Sequence, residues 1–201
     1  MLQTYGKLKN SSNKYIFLKD YIMAYISFTK KAANKLKIDT ADATAYNLVL
    51  PAVDDWIIDT VWSVKRDPWI MFYHKPSTFA VLIHPEKYKL ENCVDLFLML
   101  IQELLIKYNL IDKMPYFMEL FKNINISRNN DRSSTAYMTQ NKITAYWAFE
   151  NPHIEYRVND LYELMIRVND MLRKKFDMHK TSLEAFIEIV NQITITRNTI
   201  H

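Results

Sequence analysis

The sequence predicts an α+β fold, a small antiparallel sheet packed against one buried helix and further C-terminal helices, and three observations carry that expectation. First, the run from Val94 to Ile106, VDLFLMLIQELLI, is apolar at ten of thirteen positions. At about 1.5 Å per residue it is roughly 20 Å long, the scale of a small domain, and it falls short of the ~20 apolar residues a membrane span needs. It reads as a core helix over about 92–108, covered by a sheet on one side and helices on the other. Second, β-rich runs lie near 24–28, 57–64, 69–74 and 79–84, separated by turn-forming residues. Third, Leu161, Leu164, Met165, Val168 and Leu172 fall on one stripe at helical spacing.

Residues 1–22 are polar and basic without sustained periodicity, and Met23 follows them. Lys19-Asp20 is encodable by AAGGAT, a purine-rich ribosome-binding sequence at a sensible distance before an ATG for Met23. The stretch is therefore expected to be a disordered or non-native N-terminal extension. A single domain is expected over 23–192, followed by a tail over 193–201.

Within that domain, Ala24 to Phe28 is a strand and Thr29 is the N-cap of a short helix through Leu36. Residues 40–55 read as a loop with an extended piece at 46–50, ended by Pro51. In the next strand Ile58, Thr60, Trp62 and Val64 share a face. Lys75-Pro76-Ser77-Thr78 then joins two strands into a hairpin that sets His74 against Phe79, Phe72 against Val81 and Ile70 against Ile83. Its other face, Trp69, Met71, Tyr73, Ala80 and Leu82, is as apolar as the first, so the sheet is expected to be covered on both sides. After the core helix, Pro115 opens a short helix and 124–126 form a small extended segment. Helices follow over 132–149 and 158–176, and the capping box Thr181-Ser182-Leu183-Glu184 starts a last one to about Val190.

Composition excludes several functions. The one glycine, Gly6, leaves no P-loop and no dinucleotide fingerprint, both of which need glycine where backbone approaches phosphate. Turns must use Asn, Asp and Pro instead. The single cysteine, Cys93, permits no intramolecular disulfide and reads as a small buried hydrophobe. A net charge of +4 invites a nucleic-acid reading, yet Lys7, Lys9, Lys14 and Lys19 against Asp20 carry most of it, and the rest of the chain is nearly neutral. The N-terminus has no secretory apolar run, so the cytoplasm is the expected compartment and no membrane association is expected.

The candidate chemistry is sparse. His74 and His84 lie at opposite ends of the hairpin, ~16 Å apart at 3.3 Å per residue, and cannot share a metal. No HExxH pattern or Gly-x-Ser-x-Gly elbow occurs, and neither a metal nor a cofactor is expected. Asp54, Asp55 and Asp59 read as a solvated acidic turn. Trp56, Trp62, Trp69 and Trp147 read as core. The one polar cluster with character is Ser127 to Ser133, SRNNDRS. Asp131 or Asn130 serves there as a helix N-cap, with Arg128 and Arg132 flanking. The functional alternative is capture of an anion or a partner's carboxylate by Arg128, Asn130, Asp131, Arg132 and Ser133 at that helix terminus.

Three stretches, ISFTKKAANKLKI at Ile26 to Ile38, DDWIIDTVWSVKRDPWIMFYHKPSTFAVLI at Asp54 to Ile83, and SRNNDRSSTAYMTQNKITAYWAF at Ser127 to Phe149, together resemble a bacterial family, the domain of unknown function DUF6933. The resemblance covers roughly 23–190, and Asn130-Asp131-Arg132-Ser133 is its most specific part. It implies the fold and supplies no catalytic residues, since the family has no established activity.

The expected function is a cytoplasmic α+β protein acting through protein contacts, with the partner unidentified. The alternatives are a nucleic-acid-associated protein using Arg128 and Arg132, and an enzyme whose site is assembled from separated residues. For the start of the chain the expected outcome of N-terminal mass mapping in the natural host is Met23 or Ala24; recovery of intact Met1 overturns it.

Overall fold

The structure, a computed structural model, describes residues 16–17, 23–40, 53–62, 68–149, 158–170, 175 and 179–195. Its strands are β1 (Ile16–Phe17), β2 (Ala24–Phe28), β3 (Asp55–Trp62), β4 (Pro68–His74), β5 (Ala80–Ile83), β6 (Ile124–Arg128) and β7 (Thr194–Ile195). Its helices are α1 (Lys30–Leu36), α2 (Leu90–Lys107), α3 (Met114–Leu120), α4 (Arg132–Phe149), α5 (Val158–Asn169) and α6 (Ser182–Asn191). The expected extended piece at 46–50, the strand positions 63–64, and Leu172 lie outside the described residues.

The fold is α+β, but the main sheet is mixed where an antiparallel one is expected. Its order is β5-β4-β3-β2-β6. β2 runs parallel to both β3 and β6, while β3, β4 and β5 form an antiparallel meander. Parallel neighbours need long crossovers, and the α1 stretch before β3 and the α2–α3 stretch before β6 supply them. The segment expected only at 124–126 is therefore a full edge strand. The hairpin register is as predicted: Ile70 lies opposite Ile83 and Phe72 opposite Val81, and the His74 N–H donates to the Phe79 carbonyl at 2.8 Å. Both hairpin faces are buried. Separately, β1 and β7 pair in parallel, Ile16 with Thr194 and Phe17 with Ile195, just after Ile193 enters the core.

Trp56 sits at the centre of the core. Its ring meets Phe97 of α2 edge-on at 5.0 Å and lies 6.0 Å from both Phe121 and Phe186, while its indole N–H donates to the Val53 carbonyl at 2.8 Å. Phe72 stacks on Phe97 at 4.5 Å and Phe79 on Phe186 at 4.2 Å. α2 buries Cys93, Phe97, Leu100, Ile101 and Leu104 as expected, and burial pushes the Cys93 thiol up to about 12. The helix is less enclosed than its sequence implies, because Met99 and Ile106 remain exposed.

Glycine-free termini use other residues. Among the described residues, Lys37, Thr78 and Asn109 take positive φ, at 56°, 60° and 56°. Lys37 closes α1 by donating to the Ala33 and Asn34 carbonyls. Asn109 follows α2, where a C′ asparagine is familiar. Thr78 is different: a β-branched residue in this region is strained. Two neighbours hold it, and the preceding residue is pinned as well. The Thr78 hydroxyl bonds the Ser182 hydroxyl at 2.7 Å, Asn141 of α4 donates to the Thr78 carbonyl at 2.9 Å, and Ser77 beside it bonds His74 Nδ1 at 2.6 Å.

α5 presents Leu161, Leu164, Met165 and Val168 to the core, but it ends at Asn169 and not near 176. The Asn169 amide is committed sideways. Its Oδ1 accepts the Ala80 N–H at 2.7 Å, and its Nδ2 donates to the Ala80 carbonyl at 2.6 Å and the Met165 carbonyl at 2.7 Å. The predicted caps are in place: Thr29 accepts from the Ala32 N–H, and Thr181 and Glu184 form the reciprocal capping box.

Because Asn141 is buried and holds the strained turn, Asn141→Ala should lower unfolding free energy by about 1–3 kcal/mol in urea denaturation. A loss within about 0.5 kcal/mol, the ordinary scatter of surface changes, would show that the turn is held by other contacts.

Candidate functional site

The parallel half of the sheet is apolar on one side only. Ala24, Ile26 and Phe28 of β2 are buried, whereas Tyr25 and Ser27 between them are half-buried. Register then brings polar residues together there: Tyr25 lies between Asp55 and Asn125, and Ser27 sits between the buried Ile57 and Ser127, the two serine hydroxyls 2.8 Å apart. Parallel sheets ordinarily bury apolar residues on both faces, so this polar side is the informative departure.

The three aspartates are not a solvated turn. Asp54 is buried and its Oδ1 accepts the Tyr116 hydroxyl at 2.6 Å; burial pushes its carboxyl up to about 7 against that hydrogen bond, with Asp55 adding to the rise. Asp55 pairs with Lys75 at 2.7 Å, and burial raises its carboxyl despite Lys75. Lys175 donates to the Lys75 carbonyl at 2.6 Å; burial lowers its ammonium while Asp131 and Asp55 oppose the fall. Asp59 is buried too. It accepts the Thr29 hydroxyl at 2.5 Å and the Thr60 N–H at 2.7 Å on one oxygen and pairs with Lys142 of α4 through the other. The solvated reading failed because each aspartate finds its partner far along the chain.

The residues of the 128–133 cluster separate. Asp131 caps α4, its Oδ1 accepting the Ser134 N–H at 3.0 Å and its Oδ2 the Ser134 hydroxyl at 2.7 Å, with Asn129 Oδ1 bonding the Asp131 N–H in turn. Burial raises the Asp131 carboxyl, but the Ser134 hydrogen bonds, Lys75 and the Ser133 N–H together hold it below the usual carboxylate range. Asn130, Asp131 and Arg132 share an open cavity of about 420 Å³ with Asn129 and Thr135. Arg128 and Ser133 are exposed outside that lining. The helix terminus already holds an anion of its own.

A second cavity, about 430 Å³ and open to solvent, lies between the end of β3, α1 and α4. Trp62, Ile143, Tyr146 and Trp147 line it together with Lys31 and Lys142. Trp62 is 53% exposed, Ile143 54%, Tyr146 42% and Trp147 65%. Two tryptophans expected in the core are therefore at the surface, whereas Trp56 and Trp69 are buried. The signal was present in α4: Ser134, Met138, Asn141 and Ala145 face the core, and at about 100° per residue Ile143 and Trp147 fall on the opposite side. The large side chains are outside and the small ones inside.

Among the described residues, no group of three or more His, Cys, Asp or Glu side chains is placed to hold a metal, and no helix is long and apolar enough to cross a membrane. Fold and site thus define an α+β protein with a helix-covered mixed sheet and an exposed aromatic groove at the end of a parallel strand. The family model of the domain of unknown function DUF6933 matches residues 25–185, and the chain belongs to that family. No curated protein and no solved structure matches the chain.

Asp54 makes a pH-dependent prediction. A carboxyl raised from 3.8 to about 7 on folding binds more protons folded than unfolded between those values, so its contribution to stability falls as pH rises through that window, on the order of 4 kcal/mol in all. Asp54→Asn keeps an acceptor for Tyr116 and removes the titration. Denaturant titrations should show the variant gaining on the parent between pH 5 and pH 8; a pH-independent difference would refute the assignment.

Proposed function

We propose that this protein acts in the cytoplasm by binding another polypeptide, with the groove between the end of β3 and α4 as its contact surface. The observation that carries the reading is the joint exposure of Trp62, Ile143, Tyr146 and Trp147 around one cavity. Isolated apolar side chains at a surface need no explanation, but a contiguous group containing two tryptophans and a tyrosine has the composition of an interface hot spot. Rigid, large aromatic rings offer contact area at low entropic cost. The lone buried thiol suits a reducing compartment. Support for the nucleic-acid alternative is narrower: it rests on Arg128 and Arg132, whose helix terminus is filled by the Asp131 carboxylate.

The test is photo-crosslinking in cells from a benzoylphenylalanine at position 146, in the parent and in a Trp62→Ala, Trp147→Ala chain. A protein adduct is expected, and it should weaken by about 30-fold or more in the double variant, as loss of hot-spot anchors implies, with the far-ultraviolet melt unchanged. An adduct with nucleic acid, weakened by Arg128→Ala with Arg132→Ala, would replace this reading with the alternative. Absence of any adduct would end it.

A further inference from the structure

The exposed arc of α4 has a size gradient along its length. At about 100° per residue, Arg132, Ala136, Thr139, Gln140, Ile143 and Trp147 point away from the side that carries Ser134, Met138, Asn141 and Ala145, and all six are exposed. The N-terminal half of the arc is small or polar. The C-terminal half is large and apolar, and among the described residues Arg132 is the one charged side chain on it.

We infer that α4 pairs antiparallel with α4 of a second copy of this chain, about a two-fold axis between Thr139 and Gln140. This rests on the contact-surface reading above and names its occupant. The axis sets Arg132 against the second copy's Trp147 and Ala136 against its Ile143, and brings Gln140 of the two copies together near the centre. Each match is physically favourable. A guanidinium lies over an indole face, an alanine makes room for an isoleucine, and two amides, each both donor and acceptor, meet near the centre. The opposite orientation would stack tryptophan on tryptophan at one end and bring both arginines together at the other. In the antiparallel pair the arginines lie roughly 22 Å apart along the axis, beyond the ~8 Å screening length.

The area suffices. The six side chains of the arc, all exposed, leave on the order of 500 Å² uncovered in each copy. Covering the arc in both copies hides roughly 1,000 Å² in total, the area at which a specific interface becomes stable. The pairing is isologous and closes on itself, so it forms a dimer and no filament.

Gel filtration with light scattering on the full chain should give twice the chain mass at micromolar concentration, and Ala136→Glu, which sets a carboxylate against isoleucine, should raise the dissociation constant by about 30-fold or more. Ala136 is exposed, so the fold is untouched. Mild oxidation of Gln140→Cys should give a disulfide-linked dimer, whereas Met118→Cys, exposed on α3, should not; native Cys93 is buried and silent. A monomer at all concentrations, or equal cross-linking at both positions, overturns the dimer. If that monomer still forms the position-146 adduct with a different protein, the contact-surface reading stands without the dimer; if the adduct is absent as well, both fall.

Discussion

One buried carboxylate determines how the polar side of this molecule is assembled. Asp59 accepts from the Thr29 hydroxyl at the start of α1, from the backbone of β3, and from Lys142 of α4. A charge removed from water is tolerable only when such partners surround it, and losing one leaves the remainder uncompensated. The position of α4 follows from this demand. With Lys142 drawn to the sheet, helical geometry leaves Ile143, Tyr146 and Trp147 no route into the interior. The exposed aromatic group is thus the outer consequence of an inner ion pair.

Much of the architecture was legible because local rules and burial agreed. The core helix, the hairpin register, the Thr29 and Asp131 caps, and the capping box at Thr181 each follow from a few adjacent residues. What escaped was non-local. Whether β2 pairs parallel or antiparallel depends on crossovers through α1, α2 and α3, and no run within 24–28 records it. Asp54, Asp55 and Asp59 resemble a wet turn until Tyr116, Lys75 and Lys142 arrive from elsewhere in the chain.

The candidate site was missed for a related reason. Reading large apolar residues as core is sound when a helix has one apolar stripe, but α4 has a buried side of Ser134, Met138, Asn141 and Ala145. That inner side is held by specific hydrogen bonds, including Asn141 to the strained Thr78 turn. Asp131 also proved double-sided, capping the helix while lying within electrostatic reach of Lys75 and Lys175. Polar specificity on the inside releases bulky side chains for the outside.

The amide of Asn169 has a meaning for the molecule's lifetime. By presenting one acceptor and one donor to Ala80 it imitates a neighbouring strand for a single residue and finishes the β5 side of the sheet. Asparagine is chemically perishable, and slow hydrolysis of its amide yields a carboxylate. Aspartate here would lose the donor to two carbonyls and place a charge where the residue is fully buried, at a cost of several kcal/mol. Ageing at this one atom would loosen α5 from the sheet and uncover a strand edge open to pairing with other chains.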